Sequence, residues 1–255
     1  MPVAVVTGSS SGIGRATAFR LAKDGFDLVL HARHNLCGLQ QTAKQIQSDF
    51  PGRKVFSITA DISDSQACMR LVDASWAWCS GIEVWVNNAG ADVLTGRHRK
   101  LDFYAKLQML FNVDVAGTIR LSRLVARKLM DRTSPQLLLQ VINMGWDQAN
   151  LGMEGEAGQL FCASKSAVMA FSQALAMEVG PQIRVNCVAP GWIRTAWSQE
   201  SSDYWTQRAK EECLLNRWGE PQDVANTIAW LASSEAAFVN GQLIYVNGGR
   251  RYTSR

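Results

Sequence analysis

Residues 3–14 read VAVVTGSSSGIG, an apolar β-branched run that leads directly into three glycines. The pattern predicts a strand, Val3–Thr7, followed by a tight turn and a helix. Without Cβ atoms at Gly8, Gly12 and Gly14, the backbone can approach a ligand closely, and the free N–H groups at a helix N-terminus attract anions. A glycine-rich turn alone is weak evidence of function, but its place after the first strand predicts a pyrophosphate site.

The same strand-to-helix alternation continues along the chain. Six further apolar runs predict strands at Leu28–Ala32, Lys54–Ile58, Ile82–Asn87, Gln136–Asn143, Ile183–Val188 and Gln242–Val246. The stretches between them predict helices at Gly12–Asp24, Leu36–Asp49, Asp64–Cys79, Tyr104–Asp131, Gln159–Gly180 and Pro221–Ala232. Near-continuous apolarity is typical of strands covered on both faces. We therefore predict an α/β fold: one domain over residues 1–255, with a doubly wound, seven-stranded parallel sheet and helices on both faces.

Composition argues against several classes of protein. The 255 residues are 47% hydrophobic and 19% charged, with no signal-peptide pattern and no run of about 18 uninterrupted apolar residues. The six cysteines lie far apart without metal-ligand spacing, which favours reduced thiols and no metal site. The net charge of +4 is mild, and its densest cluster, Arg250, Arg251 and Arg255, is typical of a solvated tail. We expect a soluble, cytoplasmic protein with no nucleic-acid or membrane partner.

The ordered motifs resemble those of the short-chain dehydrogenase/reductase family. Its T-G-x-x-x-G-x-G signature matches Thr7, Gly8, Gly12 and Gly14. Its later motifs match Asp61-Ile62, Asn87-Asn88-Ala89-Gly90, Arg184-Val185-Asn186, Pro190-Gly191 with Thr195, and Asn247-Gly248-Gly249. The resemblance implies a Rossmann fold that binds a nicotinamide dinucleotide and acts on a small-molecule substrate. It also implies a homodimer or homotetramer, because relatives usually pair the two long helices.

The resemblance further assigns residues to the cofactor. They are Gly8, Ser10, Ser11, Gly12, Ile13, Gly14, Arg33, Asp61, Ile62, Asn88, Ala89, Gly90, Lys165, Pro190, Gly191, Ile193 and Thr195. In these roles Asp61 and Ile62 contact the adenine, and residues 88–90 line the adenosine ribose. Lys165 holds the nicotinamide ribose, and Ile193 with Thr195 holds the carboxamide.

The end of the second predicted strand bears on the choice of cofactor. Relatives that use NAD usually place an acid there on the ribose 2′-hydroxyl, whereas this chain has Ala32 and Arg33. An arginine pairs with a 2′-phosphate through a planar fork of donors. The sequence therefore favours NADP(H), with NAD as the less favoured cofactor. Ser11 argues against NADP(H), because many NADP-using relatives carry a basic residue in the glycine loop. The alternative for Arg33 is a solvent-exposed side chain with no role in binding.

The proton-transfer residues depart from the family pattern. That pattern joins an asparagine and a serine to a Y-x-x-x-K pair, but here the pair reads Phe161 and Lys165, and a phenyl ring has no proton to give. No serine, threonine or tyrosine occurs from Pro135 to Ala163, and Asp114 stands in the asparagine position. We assign Lys165, Asp114 and Phe161 as the catalytic positions. A positioned acid contributes about 10²–10⁴-fold in rate, so catalysis through tyrosine should be badly impaired.

Other acids are available to replace the missing hydroxyl. Asp147, Glu154 and Glu156 follow the fifth strand, and Tyr204 lies in residues 191–218, which we predict to be a substrate lid; each is also typical of a solvated loop. The leading hypothesis is an NADP(H)-dependent oxidoreductase of carbonyl or alcohol compounds with an atypical proton-transfer site. The alternatives are a catalytically impaired nucleotide-binding sensor or scaffold and, less favoured, a lyase or isomerase that uses bound cofactor structurally.

Overall fold

A computed structural model describes residues 1–79, 81–130, 139–199 and 202–251. It contains one seven-stranded sheet in the order β3-β2-β1-β4-β5-β6-β7, and every neighbouring pair of strands is parallel. The strands are β1 (Val3–Val6), β2 (Asp27–Ala32), β3 (Val55–Thr59), β4 (Ile82–Asn87), β5 (Leu139–Met144), β6 (Ile183–Pro190) and β7 (Leu243–Val246). The predicted single-domain, doubly wound fold is confirmed.

Nine α-helices are described, together with two 3₁₀ helices and one π-helical stretch. The α-helices are α1 (Gly12–Lys23), α2 (Leu36–Asp49), α3 (Ser65–Trp78), α4 (Phe103–Leu110), α5 (Thr118–Met130), α6 (Gly155–Val179), α7 (Ala196–Gln199), α8 (Asp203–Glu212) and α9 (Pro221–Ala232). The 3₁₀ helices are Gly96–Lys100 and Ser234–Ala236, and the π-helical stretch, Phe111–Gly117, joins α4 to α5.

Two apolar layers cover the sheet, because successive strand residues point to opposite faces. Val6 lies in the layer under α1, α2 and α9, whereas Val5 lies in the layer under α3, α5 and α6. The chain crosses from one half of the sheet to the other at β1, which pairs with both β2 and β4. Ligands of open α/β sheets bind beyond the carboxyl ends of the strands at this switch point.

Several boundaries differ from the sequence prediction. The predicted helix Tyr104–Asp131 is instead α4, the π-helical stretch and α5; its last residue, Asp131, lies outside the described residues, as do positions 136–138 of the predicted fifth strand. Helix α6 begins at Gly155 rather than Gln159. Strand β6 continues to Pro190 because its pairing with β7 extends to that residue.

Helix α6 has the length and mean hydropathy of a membrane-crossing helix, a property that a search for uninterrupted apolar runs does not reveal. It packs against β5, β6, α4 and α5. Its buried apolar side chains, including Leu175 and Val179, belong to the core of the domain. The core therefore accounts for part of the apolar composition of α6.

Candidate cofactor and active site

The glycine loop is packed so closely that two of its positions exclude a side chain. A Cβ atom on Gly8 would lie 2.9 Å from the Cα of Ala89, and the backbone φ of Gly8 is +67°. A Cβ atom on Gly14 would lie 2.2 Å from the carbonyl oxygen of Gly8. Ser10 is half-buried in the loop and Ser11 is exposed just before α1. The loop therefore presents bare backbone at a helix N-terminus, a geometry that fits a pyrophosphate.

Asn88 and Thr7 hold this loop against the end of β4. The Asn88 amide donates to the carbonyl oxygens of Thr7 (2.9 Å) and Gly8 (3.1 Å). The Thr7 hydroxyl oxygen accepts from the backbone N–H groups of Asn88 and Ala89, each at 2.9 Å. The predicted ribose-lining residue Asn88 thus also fixes the shape of the pyrophosphate loop.

His31 supports the same loop, although no motif in the sequence points to it. Its side chain is buried at the end of β2, with Nε2 2.9 Å from the Ala60 carbonyl oxygen and Nδ1 3.4 Å from the Gly8 backbone N–H. Burial lowers the pKa of His31. A neutral ring satisfies both contacts, because Nε2 donates to Ala60 while Nδ1 accepts from Gly8. The one sequence feature that could have identified His31 is the presence of a titratable residue inside an apolar strand.

Arg33 and Asp61 meet beyond the carboxyl ends of β2 and β3. Arg33 Nη1 lies 3.9 Å from Asp61 Oδ2, and each side chain is about a third exposed. Burial acts to raise the pKa of Asp61, but hydrogen bonds from Ser63 and the nearby Arg33 charge outweigh it, so that the pKa is lowered. Ile62, beside them, is buried. The structure therefore brings together the residues predicted for the adenosine end of the cofactor.

Thr195 and its neighbours complete the cleft from the other half of the sheet. A Cβ atom built on Gly12 would contact Thr195 Cγ2 at 3.8 Å, so the glycine loop and the segment after β6 face each other. A Cβ atom on Gly191 would lie 2.6 Å from that of Asn247, which explains glycine there. The predicted site residues that line one continuous cavity of about 740 Å³ are Ile13, Phe161, Lys165, Pro190, Gly191, Ile193 and Thr195.

Lys165 and Asp114 form an ion pair at the base of this cavity. Lys165 Nζ lies 2.8 Å from Asp114 Oδ2, and the exposed fractions of the two side chains are 15% and 2%. Lys165 Nζ also donates to the Met144 carbonyl oxygen at 3.3 Å. The other carboxylate oxygen of Asp114 accepts from the Ala91 backbone N–H at 2.7 Å. The π-helical stretch carries Asp114, and such stretches are frequent at functional sites.

Phe161 forms an apolar wall beside this pair. Its ring packs edge-on against Trp146, with centroids 6.1 Å apart, and it joins the small cluster around Val93, Leu110 and Leu160. Trp146 and Phe161 both line the cavity. The position one helical turn before Lys165 therefore offers shape and apolar contact, but no exchangeable proton.

The structure separates the alternative acids from one another. Asp147 Oδ2 accepts from Asn247, and its carboxylate is buried away from the cavity lining; burial raises its pKa to about 6. Glu154 pairs with Arg208, and Tyr204 lines a second, charged pocket with these residues. Glu156 alone of the four lines the 740 Å³ cavity.

The predicted lid region contains α7, α8 and an aromatic cluster. Trp192 packs against Trp205 and Trp218, with ring centroids 5.7 and 5.9 Å away. Glu212 accepts from Trp192 Nε1 at 2.9 Å and from Arg208 Nε at 2.6 Å. Trp192 and Trp205 line the cavity, so the lid region, including α8, contributes to its wall. Positions 200 and 201 of the predicted lid lie outside the described residues.

Comparison with known proteins extends over nearly the whole chain. A family model described as enoyl-(acyl carrier protein) reductase matches residues 8–251. The chain is 32% identical over 248 residues to 3beta-hydroxysteroid dehydrogenase 1 of Eggerthella lenta, which covers 96% of this chain and 92% of that protein.

Solved structures agree with these matches. A short-chain dehydrogenase from Burkholderia cenocepacia in complex with NADP is 29% identical, with a TM-score of 0.84 and 97% of each chain covered. A 3-oxoacyl-[acyl-carrier protein] reductase from Brucella melitensis in complex with NAD is 27% identical, with a TM-score of 0.87 and 97% and 96% covered. Similar chains therefore bind either nicotinamide dinucleotide.

Proposed function

Since this chain belongs to the short-chain dehydrogenase/reductase family and is an oxidoreductase of that type, we propose that it uses NADP(H) to interconvert a small carbonyl compound and its alcohol through an atypical proton-transfer site. One observation carries the proposal: the cofactor cleft and the substrate space are a single cavity, lined at one end by Ile13 and Thr195 and elsewhere by Lys165 and Phe161.

The described residues fit a nicotinamide dinucleotide at each of its groups. The bare backbone around Gly8 and Gly14 receives the pyrophosphate at the N-terminus of α1. Arg33, a third exposed, is placed to pair with a 2′-phosphate, and this supports NADP(H). Thr195 faces the glycine loop across the cleft, and the family resemblance assigns the nicotinamide carboxamide to Thr195 and Ile193. The bound cofactor supplies the hydride, or accepts it in the reverse direction.

Proton transfer is assigned to Lys165, with Asp114 as the counter-charge that holds it. Two of the three N–H donors of the ammonium group are used by Asp114 and Met144, and the side chain lines the cavity. In place of the nicotinamide ribose that the resemblance assigns to Lys165, the third donor serves a substrate oxygen, and its proton passes to that oxygen as the carbonyl is reduced. Phe161 excludes water beside this oxygen. Glu156, which also lines the cavity, is the alternative acid.

A non-catalytic sensor or scaffold is the second candidate function. The observation that favours it is the edge-on packing of Phe161 against Trp146, which leaves an apolar ring where the family has the tyrosine hydroxyl. Such a protein would bind the dinucleotide stoichiometrically without oxidising it.

Self-association and a small-molecule substrate are also part of the proposal, as the family resemblance implied. Met177 on α6 is 87% exposed, and Phe238 is fully exposed. Large apolar side chains of this kind are common where subunits meet. We propose a cytoplasmic homodimer or homotetramer, and light scattering of the purified protein tests the number of subunits.

NADPH oxidation by matched variants tests the proton-transfer assignment. Wild type, Lys165→Met, Glu156→Gln and Phe161→Tyr are assayed against a panel of diketones and quinones, with nucleotide binding measured in parallel. We expect turnover in wild type, loss of turnover in Lys165→Met at saturating NADPH, and near-wild-type rates in Glu156→Gln. Phe161→Tyr should gain rate, because it restores a phenol one turn before Lys165. Loss of turnover in Glu156→Gln alone would mean that the Glu156 carboxyl group, and not Lys165, donates the proton.

A further inference from the structure

Aromatic rings from three separate elements face the cavity. Trp146 follows β5, Trp192 follows β6, and Trp205 lies on α8. Their orientations are fixed, because Trp146 packs on Phe161, and Trp192 is held both by Trp205 and by the 2.9 Å hydrogen bond from its Nε1 to Glu212. Rigid aromatic surfaces contribute large contact area and favour stacked or edge-on partners. The cavity walls are therefore preorganised for a ligand with flat rings.

The charge of the cavity lining is positive. Its charged residues are Arg99, Lys106, Glu156 and Lys165. Lys165 is neutralised by Asp114 at 2.8 Å. Within the described part of the chain, neither Arg99 nor Lys106 has an ion-pair partner, and Glu156 offsets one of them at most. The lining thus retains an excess positive charge near the 3₁₀ helix Gly96–Lys100.

Two further features make this charge a binding determinant. Arg99 belongs to a run of basic residues, Arg97 to Lys100, that is exposed beside the cavity, and like charges in a cleft raise the local concentration of anions. Arg99 and Lys106 come from different elements, the 3₁₀ helix and α4, yet both reach the same space. An anionic group that contacts both would receive donors from two elements.

We propose that the substrate is an aromatic or polycyclic carbonyl compound that carries an anionic group, with its rings against Trp146, Trp192 and Trp205 and its anion on Arg99 and Lys106. The cavity of about 740 Å³ is shared with the nicotinamide end of the cofactor, and the part lined by the three tryptophans is left for such a molecule. This inference deepens the proposed function and depends on it only for the carbonyl group. The rings and the anion are recognised whether or not hydride is transferred.

Quenching of tryptophan fluorescence tests the inference without requiring turnover. The probes are 6-acetyl-2-naphthoate and its methyl ester, which share rings and ketone but differ in charge, and both are titrated into the NADP⁺-loaded protein. We expect the carboxylate to bind at least about 10-fold more tightly than the ester, because two charge-assisted contacts are lost in the ester. The preference should shrink as salt is added.

Variants of the basic residues locate the anion. Arg99→Gln and Lys106→Gln, alone and combined, should remove the preference for the carboxylate and leave ester affinity unchanged. Lys100→Gln, an equal charge change on the same 3₁₀ helix but outside the cavity lining, is the matched control and should alter affinity less than 2-fold. Melting curves of each variant establish that it is folded.

Three outcomes overturn the inference. They are equal affinity of the wild-type protein for carboxylate and ester, no binding of either probe, or an equal loss of carboxylate affinity in Lys100→Gln and Arg99→Gln. Selective binding of the carboxylate without NADPH oxidation would refute the proposed reaction while leaving the ligand class intact. NADPH-dependent reduction of uncharged aliphatic ketones, with no affinity for the naphthoate, would refute the ligand class while leaving the proposed reaction intact.

Discussion

Replacing Asp114 by asparagine should destabilise the protein by about 3 kcal/mol. The change removes the charge that pairs with the Lys165 ammonium, and the one amide oxygen of asparagine can serve either that ammonium or the Ala91 N–H, in a site where the lysine side chain is 15% exposed. Removing one partner of a buried ion pair lowers the free energy of unfolding by about 3–5 kcal/mol. Because Nζ borders an open cavity, water can solvate it in part, and we expect the lower end of that range. In a domain of this size the melting temperature should fall by roughly 6–12 °C.

The double-mutant cycle with Lys165→Met isolates the pair itself. Lys165→Met should cost about 3–5 kcal/mol, since it strands a carboxylate that is 2% exposed. The combined variant should lose less than the sum of the two, with a coupling free energy of about 2 kcal/mol or more. Urea unfolding followed by circular dichroism measures all four proteins, and the slope m shows whether unfolding stays two-state.

An exposed pair of nearly equal geometry provides the control. Lys128 Nζ lies 2.9 Å from Asp73 Oδ1, but both side chains are 44% or more exposed. The same cycle on that pair should give about 0–1 kcal/mol. A coupling below about 0.5 kcal/mol for Asp114 and Lys165 would refute the reasoning that burial makes this pair strong and anchors the lysine for catalysis.

The remaining predictions concern nucleotide binding and pH. Arg33→Asp should weaken NADPH binding at least about 10-fold in calorimetry and leave NADH little changed; identical wild-type titrations for the two nucleotides would contradict the NADP(H) assignment. Gly14→Ala should abolish binding of both nucleotides, because the added Cβ would lie 2.2 Å from the Gly8 carbonyl oxygen. Retained affinity would contradict the assignment of the glycine loop as the pyrophosphate site. The buried Asp147 has its pKa raised from 3.8 to about 6, so the folded state keeps a proton that the unfolded chain releases. Stability should therefore fall as the pH rises from about 4 to about 6, and Asp147→Asn should flatten that fall in thermal melts.

Much of the fold could be predicted from local pattern. The strands were found because a sheet covered on both faces needs near-continuous apolar runs, as at Val3–Val6 and Ile82–Asn87. The meeting of Arg33 and Asp61 also follows from sequence, because the carboxyl ends of neighbouring parallel strands share one edge. Helix and strand ends were less predictable: α6 begins at Gly155, and a Cβ on Gly158 in its first turn would lie 2.2 Å from the Met153 carbonyl oxygen, a contact that only the folded chain shows.

The electrostatics of the site could not be predicted in the same way. Asp114 and Lys165 lie 51 positions apart, and their 2.8 Å contact depends on a π-helical turn that has no strong sequence signal. Asp147 and Glu154 are as acidic in sequence as Glu156. Their different surroundings come from Asn247 and Arg208, which only the folded chain brings close. Residue type therefore identifies possible acids, and tertiary contacts decide which of them faces the cavity.

Transfer of deuterium from [4-²H]NADPH to a carbonyl compound tests the central claim most directly. Both C4 stereoisomers of the labelled nucleotide are incubated with the wild-type protein and a panel that includes 6-acetyl-2-naphthoate, and the products are examined by mass spectrometry. Our account predicts an alcohol with deuterium on its carbinol carbon from one of the two isomers, and little or none from Lys165→Met at saturating nucleotide. Stoichiometric binding of NADPH with no deuterium transferred to any compound would contradict it and favour the sensor.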